Sequence, residues 1–413
     1  MPSSDTIDTA RARPLRHNRD FGLLWGGSAF SLLGVEAADI AYPLLILALT
    51  GSPSQAGLFG AVQLVATLAT GLLAGQVVDR HDKRWVLVAA ETCRLVATGS
   101  VAAVLLTSQS LSLLHLMLVA VVLGGATPFS GAARMLILRS VVPNSQLTPA
   151  LTQDEVRTSA AALAGPPLGG ALYGIGQSIP FVGVAVCFLV SSVLALFIRL
   201  PATPPQGAPS RTAGLLTGAR MVLTNPTLRA ATLLVMVLNG VGAPMALVAV
   251  VVLRDQDTSP TLIGVAMAGL AVGGLAGAAL VGRLHRLQPG TLLLGLAAFE
   301  VPVLAGLALP WGPWWVALVL FLAMLGIPAL RVLVDVLIFR QVEPELRGRV
   351  IAAVMTIFGL GAPLGVGASG LLLEHWSPRG TVLVFSAVVL LATAVCASRR
   401  ELRRAQWPQE STS

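Results

Sequence analysis

Charge is scarce in this chain: 11% of its 413 residues are Asp, Glu, Lys or Arg, against about 25% in soluble proteins. With 55% hydrophobic residues, that composition does not fit a soluble protein of this size. Cysteine is equally sparse. Cys93, Cys187 and Cys396 each fall within an apolar run, with neither metal-ligand spacing nor a disulfide framework, and read as small core residues. The five histidines are scattered near loops, so no metal site is expected. No GxxxxGK[ST] loop is present, which excludes an encoded ATP-driven mechanism, and no nucleophile–base arrangement stands out. Neither a catalytic residue nor a cofactor is therefore expected. The net charge of +8 lacks a soluble basic face, so nucleic acid is not an expected partner.

What the chain does hold is a series of apolar runs, about 20 residues being enough to cross a bilayer. Twelve are read, at 21–49, 56–78, 85–106, 111–138, 156–176, 180–199, 228–253, 261–282, 289–309, 313–339, 350–373 and 380–398. Residues 1–20 are polar, with Arg11, Arg13, Arg16 and Arg19, and the run behind them is too long for a signal-peptide core. They read as a cytoplasmic tail. With the N-terminus inside, nearly all loop Lys and Arg fall on the cytoplasmic face, and only Arg254 and Arg379 lie opposite. That bias supports an even span count with both termini cytoplasmic. The expected organisation is a tail at 1–20, a six-helix bundle at 21–200, a Pro-rich linker at 201–227, a second bundle at 228–398 and a tail at 399–413.

The halves echo one another. Ser52-Pro53 followed by Gly57 returns as Ser259-Pro260 followed by Gly264. Arg139 to Pro143 returns as Arg340 to Pro344, and Gly165-Pro166-Pro167-Leu168-Gly169 returns as Gly361-Ala362-Pro363-Leu364-Gly365. Parallel repeats are how some transporters build two halves around a central site.

Between the second and third runs lies the densest charge cluster of the first half, Gly75 to Arg84. A Gly, an acid four residues later, a basic residue next and then a basic pair are supplied by Gly75, Asp79, Arg80, Lys83 and Arg84. This loop, with Phe21 to Trp25, Ala41 to Leu45 and Leu49 to Pro53, resembles the major facilitator superfamily of secondary transporters across all twelve spans. The likeness is greatest to its drug, macrolide and siderophore exporters. It implies an all-α membrane fold of twelve helices in two six-helix bundles. Asp82 stands where many members have a second Gly. The resemblance places Asp79 against the start of span eleven, at Gly348, Arg349 and Val350, where a helix N-terminus favours a carboxylate. Such a contact would hold the outward-facing state and break as the halves rock. The alternative is that the basic residues only anchor the loop inside. The counterpart Gly282 to Arg286 has no acid.

The segment Gly165, Pro166, Gly169 and Gly170 resembles an exporter motif of span five, a kink with close-packing glycines at the seam between halves. An ordinary packing kink is the alternative. The Arg-rich span-four motif of many proton-coupled exporters is missing, since residues 113–128 contain no Arg.

An ionisable residue inside a span is a functional candidate by default. Glu36 and Asp39 share one helical face with Ser28, Ser31 and Tyr42, a polar stripe suited to a proton site or to attracting a cationic substrate. The acid that the family would show falls at Val35, so these two are displaced from its pattern. Asn239 is an uncharged cavity candidate, Glu300 stands alone in span nine, and Arg331 and Asp335 form a possible inner-end pair. Glu91 and Arg94 read as a self-neutralising pair, and Arg134 as a partner for Asp79 or Asp154. The expected function is alternating-access export of a small amphipathic compound across the inner membrane, as a monomer exchanging it for protons and surrounded by lipid. A proton-coupled importer, a lipid flippase and a non-transporting receptor remain the alternatives.

Overall fold

In the computed structural model, residues 15–107, 111–200, 212–284, 286–341 and 346–398 are described, and their regular structure is entirely helical. The first half contains α1 (Arg19–Thr50), α2 (Pro53–Arg80), α3 (Lys83–Thr107), α4 (Leu113–Val141), α5 (Leu147–Ile175) and α6 (Ile179–Leu196). The second half contains α7 (Thr212–Thr224), α8 (Pro226–Gly242), α9 (Met245–Arg254), α10 (Pro260–Leu284) and α11 (Pro289–Gly306). It continues with α12 (Pro313–Leu325), α13 (Ile327–Gln341), α14 (Arg347–His375) and α15 (Pro378–Ala397). Most of the expected tails at 1–20 and 399–413 lies outside the described residues.

Helix starts follow from local chemistry. Ser52, Ser259 and Ser377 each precede a proline that opens a helix, and each hydroxyl accepts a main-chain N–H three residues on, from Gln55, Leu262 and Gly380. Serine satisfies a donor that the first turn leaves free, and proline has none to lose there. Asn18 caps α1 by accepting from Phe21 N–H at 3.1 Å, and its amide ties that end to Val141 O at 2.7 Å. Gly51, at φ +67°, ends α1 in the left-handed region that other residues enter at a cost.

Among the described residues, ten helices or helix pairs are long and apolar enough to cross a membrane, and α2, bent by 50° near residue 72, makes an eleventh. The twelfth expected span, at 156–176, lies in α5, which is diluted by Gly, Pro, Ser and Thr and carries Asp154, Glu155 and Arg157. Two spans read as continuous are broken. Span seven breaks between α8 and α9 at Pro244, and span ten between α12 and α13 at Gly326, with Pro328 following. A proline lacks the N–H that would carry the ladder through. The segment read as a linker contains α7, whose Gly218 packs against the carbonyl of Arg349 at the start of α14.

The chain forms two compact units, 1–41 with 69–208, and 42–68 with 209–413. In the first, α3 packs on α4 and α6, over a core that includes Phe21, Leu24, Val78, Leu87, Ile137 and Ile198. In the second, α10 packs on α12, α14 on α8, and α11 on α15. The end of α1 and the first part of α2, residues 42–68, belong to this second unit.

Candidate functional site

The Gly-Pro segment of α5 packs directly on the acid-bearing stretch of α1. A Cβ added to Gly165 would collide with Glu36 Cβ, and one added to Gly169 with the carbonyl of Ala37. Gly165, Pro166, Gly169 and Gly170 are all buried. Glycine at both positions lets the two backbones approach. The echo in the second half repeats this packing: Gly361 meets the carbonyl of Met236 on α8, and Gly365 that of Gly240. In each half, therefore, the fifth span of the bundle seats its glycines on the first. Glu36 is half-buried, and Asp39 is exposed. Tyr42 falls in the other unit, where it is buried and stacks on Phe59 at 4.7 Å.

Behind this stretch lies a buried charge network. Glu91 is fully buried, and its Oε1 accepts from Arg134 Nη2 at 2.6 Å and from Arg94 Nη1 at 3.4 Å. Arg94 also donates to Thr127 Oγ1 at 2.8 Å and to Ser31 Oγ at 3.5 Å, and its guanidinium lies 5.7 Å from the Phe188 ring. The network joins α1, α3, α4 and α6. Arg94 is close enough to Asp39 for the two to interact electrostatically. Arg134 takes Glu91 as its partner, where the sequence suggested Asp79 or Asp154. Asp154 instead pairs with Arg157, three residues along its own helix. Two arginines share one oxygen of Glu91, and its Oε2 and the Nε of Arg134 are buried without partners among the described residues.

The loop from Gly75 to Arg84 closes α2 and opens α3. Asp82, the departure from the family pattern, accepts from the Arg84 N–H at 2.9 Å and so caps α3. Arg84 donates to Ile198 O at 3.3 Å and stacks on Trp85 at 5.0 Å. It thus binds the end of α6 as well as bearing charge. Asp79 is half-buried with no ion-pair partner among the described residues, Lys83 is half-buried, and Arg80 is exposed. Arg349 is exposed at the start of α14, in the other unit.

The second unit contains a cavity of about 550 Å³, in the range of sites for drug-sized ligands. Its polar lining is Thr232, Asn239 and Arg331. The amide of Asn239 donates to Phe358 O at 3.0 Å, which joins α8 to α14. The Asp335 side chain lies outside the described residues, so of the expected inner-end pair only Arg331 is located.

Sequence reasoning missed Glu374. At the end of α14 its Oε2 accepts from Ser52 Oγ at 2.7 Å and from Ser54 N–H at 3.1 Å, so it sits on the N-terminus of α2. Just below, a Cβ on Gly57 would lie 2.7 Å from Gly370 Cα, and one on Gly60 2.9 Å from Val366. The Ser-Pro start and the Gly four residues beyond the proline were legible; nothing local linked them to an acid 322 residues away.

Known proteins agree with this architecture. The profile of the Major Facilitator Superfamily matches residues 24–299 and 232–412. Macrolide efflux protein A of Streptococcus pyogenes is 22% identical over 393 residues, covering 93% of this chain and 96% of its own. Multidrug efflux pump Tap of Mycolicibacterium fortuitum is 26% identical over 383 residues, covering 88% and 91%. In fold, the nucleoside transporter NupG superposes with a TM-score of 0.74 at 14% identity, covering 92% of this chain and 98% of its own. A bacterial homologue of the iron transporter ferroportin, in an inward-facing state, gives 0.75 at 18% identity, covering 92% and 98%. The chain is a multi-pass membrane transporter, not an enzyme, and belongs to the Major Facilitator Superfamily.

Proposed function

We propose that this transporter exports a small amphipathic compound, of antibiotic, drug or siderophore-like character, in exchange for protons entering the cell. The observation that carries this reading is the seating of the Gly-Pro segment of α5 against Glu36. A motif of exporter type and a membrane-embedded acid form one contact there, with Asp39 three residues further along the same helix. The two efflux relatives favour the same direction. Protonation of Asp39 alters the charge set against Arg94, three residues from the Glu36 contact, so proton binding and helix packing are linked at one place. The protein works as a monomer in the inner membrane, with both termini cytoplasmic and a six-helix bundle on either side of the linker at 201–227.

Transport proceeds by alternating access. In the outward-facing state Asp79 holds the N-terminal end of span eleven, near Arg349, with Gly75, Arg80, Lys83 and Arg84 shaping the loop that presents it. As access changes sides, the contact of Glu374 with Ser52 and Ser54 parts in turn. Arg331 and Asp335 serve the cytoplasmic end of span ten.

Inverted and right-side-out vesicles test direction and coupling together. Inverted vesicles carrying the protein are expected to accumulate a macrolide when a pH gradient is imposed, and Glu36→Gln with Asp39→Asn to abolish that dependence. Accumulation in right-side-out vesicles alone would establish import instead. Asp79→Asn is expected to slow transport about tenfold, the scale of one carboxylate at a helix terminus, with unchanged protein in the membrane. Full transport by that variant would remove Asp79 from the gate.

A further inference from the structure

Glu300 is an acid in the middle of α11, an otherwise apolar helix. It is half-buried, and no hydrogen-bond or ion-pair partner meets it among the described residues. A carboxylate at such a depth is costly unless something compensates it. Its surroundings show what that could be. Glu300 lines a recess of about 20 Å³, space for about one water. The recess lies where two spans break: Gly242 and Met245 flank the interruption of span seven, and Gly326 and Ile327 that of span ten. Interrupted spans near the bilayer midplane are where transporters bind ions and charged head groups.

The recess adjoins the larger cavity. Leu238, Gly242, Leu270, Met324, Ile327 and Leu330 line both. Of the two charged groups, Arg331 follows Ile327 by four residues and so lies about one helical turn closer to the cytoplasmic end of span ten. Glu300 lines only the recess, and Arg331 only the larger cavity. Apolar walls with a carboxylate at one end and a guanidinium at the other suit a molecule whose positive head lies at Glu300, away from Arg331.

We propose that the Glu300 recess is a binding site for the compact ammonium head of an amphipathic amine, whose apolar body fills the 550 Å³ cavity. This rests on the export reading and narrows its cargo. The recess sets a size limit as well as a charge. An –NH3+ group takes the space of one water and donates to the carboxylate; a trimethylammonium head is too large. The Glu300 carboxylate repels an anionic head, and Arg331 draws one to the other end of the cavity.

Dansylcadaverine tests this directly, since a fluorescent apolar body and a primary amine are joined by a short chain. Its binding to the purified full-length protein is read by fluorescence, beside its N-acetyl derivative and its trimethylammonium analogue. The free amine is expected to bind about tenfold tighter than either, the scale of one charge-assisted hydrogen bond. Glu300→Gln is expected to remove that preference and leave N-acetyl binding unchanged. Equal binding of amine and amide by the wild type would overturn the proposal without any variant. A preference that persists in Glu300→Gln would overturn it too, as would trimethylammonium binding as tight as the amine. Should Glu300→Gln fail to fold, the three-ligand comparison on the wild type still decides. Wild-type protein that binds the amine but pumps nothing sinks the export reading alone; export of a macrolide without amine preference sinks only this site.

Discussion

Glu91→Gln is expected to destabilise the protein by about 3–5 kcal/mol, the cost of breaking a buried ion pair from one side. Glu91 is fully buried, and one of its oxygens serves both Arg134 and Arg94. Glutamine keeps the shape and loses the charge, so two guanidinium groups are left in a low-dielectric interior with no anion between them. Hydrogen bonds from Arg94 to Thr127 and Ser31 remain, but neutral oxygens do not offset a buried cation. The thermal midpoint in detergent is expected to fall by on the order of 10 °C. Adding Arg134→Met should restore part of the loss, because the double variant buries one fewer unpaired charge. A double variant less stable than Glu91→Gln would show that the attraction between the partners, not the stranded charges, carries the effect.

Gly165→Leu is expected to reduce the proposed proton-coupled export by about a hundredfold, as a displacement near 1 Å at a reacting centre does in enzymes. No side chain fits between α5 and α1 at this position: even a Cβ collides with that of Glu36. The helices must separate, and Glu36 moves with α1. Gly169→Ala meets the backbone of Ala37 rather than a side chain, which cannot rotate aside, and is expected to cost about 1–3 kcal/mol as overpacking. Gly99→Ala is the control. A Cβ there meets nothing within 4 Å, and alanine favours the helix by about 1 kcal/mol over glycine. If Gly165→Leu transports normally, the contact between the Gly-Pro segment and Glu36 has no part in coupling.

The architecture was legible because its signals are local. Apolar length, Ser-Pro starts and the distribution of arginine each depend on neighbouring residues. So does the internal echo, and the packing of Gly361 and Gly365 on α8 repeats that of Gly165 and Gly169 on α1. The charge partners were harder to read, because a buried arginine takes whichever acid a neighbouring helix presents. Arg134 lies 43 residues from Glu91, and helix spacing alone offered Asp154 or Asp79 equally. The helix breaks were missed for another reason. Pro244 and Pro328 stand in apolar runs, and hydropathy continues through a break in the hydrogen-bond ladder. Asp82 read as a departure from a family pattern, and its cap on α3 gives that departure a structural role.

The contact of Glu374 with Ser52 also bears on how the chain is made. Residues 42–68 leave the ribosome early, yet their neighbours in the finished protein come from the second half. Leu68 meets Gly359, Ala61 meets Gly367, and Gly57 meets Gly370. At translation rates of about 5–20 residues per second, the 322 residues separating Ser52 from Glu374 take roughly 15–60 s to add. Throughout that interval the glycine face of α2 stands in the bilayer without its partner helix. Its small residues are those that other inserted helices also find, so the order of synthesis makes this early face the place where a nascent chain is most open to pairing with the wrong neighbour.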